Sequence, residues 1–169
     1  MQGHEAKKGF GTYSGEDISF AEIDAGANRV ANGLAALGVK PGDRVAFLGK
    51  NHPLYFEAFV GAARIGAVMT PVNWRLAPPE VAYILDNCGA QVVFVGEGFA
   101  AMIEGVRADV PHVTHIIGID APEHDGPDYR TWRDSFPATP PAHVVHAEDD
   151  ALQFYTSGTT GKPKGAVMT

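Results

Sequence analysis

Gln91-Val92-Val93-Phe94-Val95 decides the fold. Four successive residues are apolar and three are β-branched, with no alternation toward water. Such a run reads as a strand covered on both faces, the environment of a parallel sheet flanked by helices. The flanking sequence agrees. On the amino side, Pro78 and Pro79 open a helix whose inner face carries Val81, Ile84, Leu85 and Cys88, and Gly89 ends it. On the carboxyl side, residues 99–107 read as a helix and 113–119 as a strand. Further upstream come a short apolar strand at 45–48, a helix opened by Pro53, and a strand at 67–72 that contains Pro71. The apolar face of that helix is expected to be Phe56, Phe59, Val60 and Ala63, ending at Gly66. Strands alternating with helices of this length predict an α/β fold in three layers, with a mostly parallel sheet and right-handed crossovers.

The clearest helix covers residues 18–37. Ser19 and Glu22 have capping-box spacing, and Phe20, Ile23, Ala27, Val30, Leu34 and Leu37 recur every three or four positions before Gly38. Residues 1–17 carry glycine and charge without periodicity and read as a loose head. Residues 120–150 hold five prolines and many acids, and read as an excursion over the surface before a last strand at 151–155.

The chain has 169 residues, 45% apolar and 20% charged, the range of a folded globular domain. Thirteen basic against twenty acidic residues give a net charge of −7, which disfavours nonspecific nucleic-acid or anionic-membrane binding. One cysteine, Cys88, excludes an internal disulfide and fits a reducing, cytoplasmic setting. No apolar run reaches the roughly 18 residues of a transmembrane segment.

The last predicted strand leads into Thr156-Ser157-Gly158-Thr159-Thr160-Gly161-Lys162-Pro163-Lys164-Gly165. Glycines let backbone N–H groups approach an anion closely, the hydroxyls add donors, and Lys162 and Lys164 add charge. This is the chemistry of a polyphosphate cradle. It differs from a Walker A loop: two residues separate Gly158 from Gly161, and Pro163 follows Lys162, so no helix is expected to start there.

The ten-residue segment resembles the phosphate-loop signature of the adenylate-forming (AMP-dependent synthetase and ligase) superfamily, which includes acyl-CoA synthetases. Ile18-Ser19-Phe20-Ala21-Glu22-Ile23-Asp24 with Asn28-Arg29-Val30-Ala31 is similar to that family's opening helix. Gly38-Val39-Lys40-Pro41-Gly42-Asp43-Arg44-Val45 is similar to its next turn and strand, and Gly66-Ala67-Val68 through Pro71-Val72-Asn73, Arg75 and Leu76 to the segment after. The resemblance covers residues 18–169 and implies the N-terminal part of the family's large domain. It implies a two-step reaction: ATP and a carboxylate give an acyl-adenylate and pyrophosphate with Mg²⁺, and a thiol, usually coenzyme A, then takes the acyl group. Carried over by position, residues 156–165 hold the β- and γ-phosphates, with Thr160 near the magnesium. Family members continue past the phosphate loop into the adenine site, acyl pocket, hinge and small C-terminal domain. The 169 residues are therefore expected to be inactive alone, with no catalytic residue of their own and sheet edges open to self-association.

Two further readings compete. One is a truncated, non-catalytic binding or regulatory module. The other is a dinucleotide-binding domain: Gly96-Glu97-Gly98-Phe99-Ala100-Ala101 fits G-x-G-x-x-A, with Asp120 at a later strand end. His112 with His115 and His143 with His146 are better read as solvated than as metal ligands. Phe56, Phe59 and Tyr83 read as core, and Cys88 as an inert core thiol. Trp74, past a strand end, either packs or faces a cleft.

Overall fold

The computed structural model describes residues 8–11, 17–156 and 162–169. In chain order the elements are β1 (Lys8–Gly11), β2 (Asp17–Ser19), α1 (Phe20–Ala36), β3 (Arg44–Leu48), α2 (Pro53–Ala63), β4 (Val68–Val72), α3 (Pro78–Cys88), β5 (Val92–Gly96), α4 (Ala100–Gly105), β6 (His115–Ile119), α5 (Tyr129–Asp134), β7 (Leu152–Thr156) and β8 (Lys164–Met168). A 3₁₀ turn at Arg107–Asp109 follows α4. The main sheet runs β6-β5-β3-β4-β7-β8; all its pairs are parallel except β7–β8. This is the expected three-layer α/β architecture.

Alternation along the strands divides the core. Val45, Phe47, Met69, Val92 and Phe94 face the layer of α1, α2 and α5. Ala46, Leu48, Val93 and Val95 face α3 and α4. Both faces are covered, which is why the 92–95 run has no polar position.

At the start of α1, Ser19 Oγ accepts from the Glu22 N–H at 3.2 Å, and the Glu22 carboxylate accepts from the Ser19 N–H at 2.8 Å. The Ser19 N–H, and then the Ser19 hydroxyl donating to the same carboxylate at 2.7 Å, hold the Glu22 carboxyl below its usual range. Gly89 ends α3 at φ 68°, the left-handed stop.

Three expectations are corrected. Residues 8–11 are not a loose head, because β1 pairs antiparallel with β2. The buried face of α2 is Leu54, Glu57, Ala58, Gly61 and Ala62, whereas Phe56 is 41% exposed. Close packing on α1 selects the small side chains: a methyl on Gly61 would lie 2.6 Å from Val30 Cβ. The 120–150 excursion also contains a helix, α5. Its Tyr129 is fully buried, and its Trp132 packs against Phe94 and Phe136. Proline-rich backbone follows, with carbonyls that take donors from α1: Asn28 Nδ2 to Ala138 O at 3.0 Å and Asn32 Nδ2 to Pro137 O at 2.9 Å.

Glu57 enters this layer as a buried carboxylate. It accepts from Tyr129 Oη at 2.8 Å and from Arg133 at 3.0 and 3.2 Å. Gly26 makes room for it, because a Cβ there would overlap Glu57 Oε2. Burial, and then the neighbouring Glu57, push the Tyr129 phenol well above its usual range.

Candidate functional site

The site lies where the sheet stops pairing. In β4 the Val68 N–H faces β3, donating to Asp43 O at 2.8 Å, and the Met69 N–H faces β7, donating to Ala151 O at 2.9 Å. Residue 71 therefore points its nitrogen toward β7, and Pro71 has no hydrogen to give. The β4–β7 ladder consists of the single pair Met69–Leu152. Beyond it the strands part. A cleft of about 790 Å³ opens between Pro71-Val72-Asn73 on one side and Phe154-Tyr155-Thr156 on the other, with Trp74, Arg75 and Pro163 at its walls. The chain leaves β3 into α2 on one face and leaves β4 into α3 on the other. The cleft thus stands at the carboxyl ends of strands whose connections diverge, where open α/β sheets bind ligands.

Of the ten phosphate-loop candidates, Thr156, Lys162, Pro163, Lys164 and Gly165 are described; Ser157, Gly158, Thr159, Thr160 and Gly161 lie outside the described residues. Thr156 ends β7 and pairs with Lys164 at the start of β8, so the segment joins two antiparallel strands, and residues 164–168 form a strand where a Walker A loop would lead into a helix. Thr156, Lys162 and Lys164 are exposed. A methyl on Gly165 would collide with Gln153 Nε2, so the small residue admits the Gln153 amide beneath β8.

A polar chain crosses under the hairpin. Arg44 Nε donates to Gln153 Oε1 at 2.9 Å, Gln153 Nε2 to Tyr155 Oη at 3.1 Å, and Tyr155 Oη to Asn87 Oδ1 at 2.6 Å. Burial, and then the nearby Cys88 and Tyr83, push the Tyr155 phenol up to about 12, so it remains a proton donor at neutral pH. Trp74 faces the cleft, with the Arg75 guanidinium 4.1 Å and Lys50 Nζ 5.6 Å from its ring centroid.

The dinucleotide fingerprint has another explanation. Gly96 lets β5 pass close to the end of β3, since its Cβ would lie 3.3 Å from Gly49 Cα. The Gly98 N–H, which would meet a pyrophosphate, donates to Glu123 Oε1 at 2.6 Å. The Asp120 carboxylate, at φ 48°, is bonded by Arg130 and accepts from His52 Nε2 at 3.0 Å. Both groups that reading requires are engaged by the chain itself.

Among the described residues, no three His, Cys, Asp or Glu side chains converge on a metal position. His112 Nε2 lies 3.0 Å from Leu85 O, and burial raises the Cys88 thiol. No helix among the described residues is long and apolar enough to cross a membrane.

The AMP-binding enzyme family model matches residues 3–169, and the chain belongs to that family. It is 43% identical over 155 residues to the long-chain-fatty-acid–CoA ligase FadD13 of Mycobacterium tuberculosis, covering 90% of this chain and 29% of the relative. It is 38% identical over 155 residues to the fatty acid–[acyl-carrier-protein] ligase ScoC of Streptomyces coeruleorubidus, covering 91% of this chain and 28% of that one. The crystal structure of the anthranilate CoA ligase AuaEII in complex with anthranoyl-AMP superposes with a TM-score of 0.90 at 33% identity, over 97% of this chain and 32% of that one. The chain thus spans less than a third of the length of these relatives.

Proposed function

We propose that residues 18–169 supply the ATP phosphate-binding part of a carboxylate–CoA ligase. ATP and an organic acid would give an acyl-adenylate and pyrophosphate, and coenzyme A would take the acyl group. The observation that carries this reading is the β7–β8 hairpin, which holds Thr156 opposite Lys164, with Lys162 beside them, at the carboxyl edge of the parallel sheet. Charge grows on the departing pyrophosphate, and two lysines with preorganised donors stabilise it. Magnesium would neutralise the same oxygens, with Thr160 as the nearby hydroxyl. Relatives named for fatty, aryl and arylacetic acids support a carboxylate as acyl donor. The acid itself would be chosen by segments outside these residues. The isolated chain is proposed not to turn over, and to self-associate through β8, exposed along its whole length with Val167 and Met168 outward.

The test is a graft. A full-length ligase carrying residues 18–169 in place of its own corresponding segment is expected to exchange ATP with pyrophosphate. Replacing Lys162 and Lys164 together by alanine should lower that exchange about a hundredfold or more. Unchanged exchange overturns the phosphate reading. Turnover above blank by the 169-residue chain overturns its inactivity.

A further inference from the structure

The hairpin does not stand free. Helix α3 runs beside it, and two α3 residues four apart hold its two shoulders. On the incoming strand, Tyr155 Oη donates to Asn87 Oδ1 at 2.6 Å. On the outgoing side, Tyr83 Oη donates to the Pro163 carbonyl at 3.2 Å, and Lys162 Nζ lies 5.3 Å from the Tyr83 ring centroid. Residues four apart share one helix face, so one face of α3 fixes both ends. Tyr83 is half-buried and Asn87 exposed, unlike the buried Val81, Ile84, Leu85 and Cys88 of the same helix.

We propose that Tyr83 is a positioning residue for the nucleotide phosphates. Its ring holds the Lys162 ammonium and its hydroxyl holds the carbonyl of the next residue, Pro163. A free lysine head samples many rotamers and loses that freedom when it meets an anion. Resting on the Tyr83 face, the ammonium is already confined, and it keeps its N–H donors for an incoming oxygen. Pro163 stiffens the same joint by fixing its own φ. The inference rests on the reading of Lys162 as a phosphate ligand, and extends it to a residue that touches no phosphate.

The test uses NMR of the 169-residue chain with ¹³C-labelled lysine, titrated with MgATP to millimolar concentration. The Lys162 ε-methylene protons are expected upfield of those of Lys40 and Lys164 because of the Tyr83 ring, as those of Lys50 are because of Trp74. The Lys162 shift should survive in Tyr83→Phe and Tyr83→Trp and vanish in Tyr83→Leu. MgATP affinity is expected to fall about fivefold in Tyr83→Leu, and less in Tyr83→Phe, where only the hydroxyl is lost. In a Lys162→Ala background, Tyr83→Leu should produce a smaller loss, because the ring has no ammonium left to hold. Two results overturn the inference while leaving Lys162 as a ligand: Tyr83→Leu binds MgATP as tightly as the unaltered chain, or its loss is undiminished in the Lys162→Ala background. If Lys162→Ala itself leaves MgATP affinity unchanged, the phosphate reading falls and this inference with it; should the unaltered chain bind none, the same variants are read in the full-length graft, where the same outcomes decide. Should Tyr83→Leu lose its cooperative thermal transition, Tyr83→Phe decides: affinity equal to the unaltered chain counts against the proposal, and a measurable loss supports it.

Discussion

The two flanks of β4 are built on opposite plans. On one side, α1, α2 and α5 interlock through small residues and a buried carboxylate with its phenol and guanidinium partners. On the other, β7 joins β4 through one residue pair, and β8 beyond it is exposed throughout. The first flank excludes water and leaves little freedom. The second keeps backbone and side-chain donors available. The phosphate-binding role proposed for the hairpin would need the second arrangement, and the first would supply the rigidity that keeps it in place.

The contrast fails if the interlocked flank tolerates damage. Glu57→Ala would leave the Arg133 guanidinium with Asp134 as its remaining carboxylate and the Tyr129 hydroxyl without its acceptor. A loss of about 3 kcal/mol in urea unfolding is expected, the lower end of the range for breaking a buried pair from one side, because Asp134 stays with Arg133. A loss under 1 kcal/mol would mean that the triad adds little. Next in size, Gly61→Ala pushes a methyl against Val30 at the α1–α2 crossing. Overpacking there should cost about 1–3 kcal/mol, while the same change at Gly105, with no atom within 4 Å, should be neutral or stabilising.

The smallest effect concerns pH. The Arg130 hydrogen bond, against some desolvation, holds the Asp120 carboxyl below its ordinary range. A depressed acid adds stability that is complete above its unfolded pKa and is lost as pH falls through the folded one. Stability from Asp120 should therefore be flat from pH 7 to 5 and decline below about 4. Asp120→Asn keeps a residue tolerant of positive φ and should remove that part of the acid response, about 0.2–1 kcal/mol for a half-exposed pair. An unchanged acid profile would show that the pair is energetically silent.

Much of this layout was legible in the residues. The unbroken apolar run at 92–95, the Ser19–Glu22 box and the Gly89 stop each have a local cause, and each stands where expected. The α2 face was misread because apolar character was taken as the guide to burial. Helix-on-helix contact chose Ala58, Gly61 and Ala62 for their size, and Glu57 went inside because Tyr129 and Arg133 arrive from more than seventy residues away. Helix α5 escaped notice among prolines, although Asp128 ahead of Tyr129 and Trp132, three apart, is a capping signal with an apolar pair. The phosphate role of residues 156–165 is proposed from their types. That Tyr83 stands beside Lys162 could not be read in this way, because only the folded sheet brings α3 against the hairpin.

Pro71 has a consequence beyond the strand it sits in. Side chains around a fissure can drift, swell or shrink over generations and close it by degrees. An absent hydrogen on the main chain is not open to such gradual repair. Whatever else changes in the neighbourhood, the seam between β4 and β7 cannot zip shut at that step while the proline stays, so the opening is inherited with a single codon.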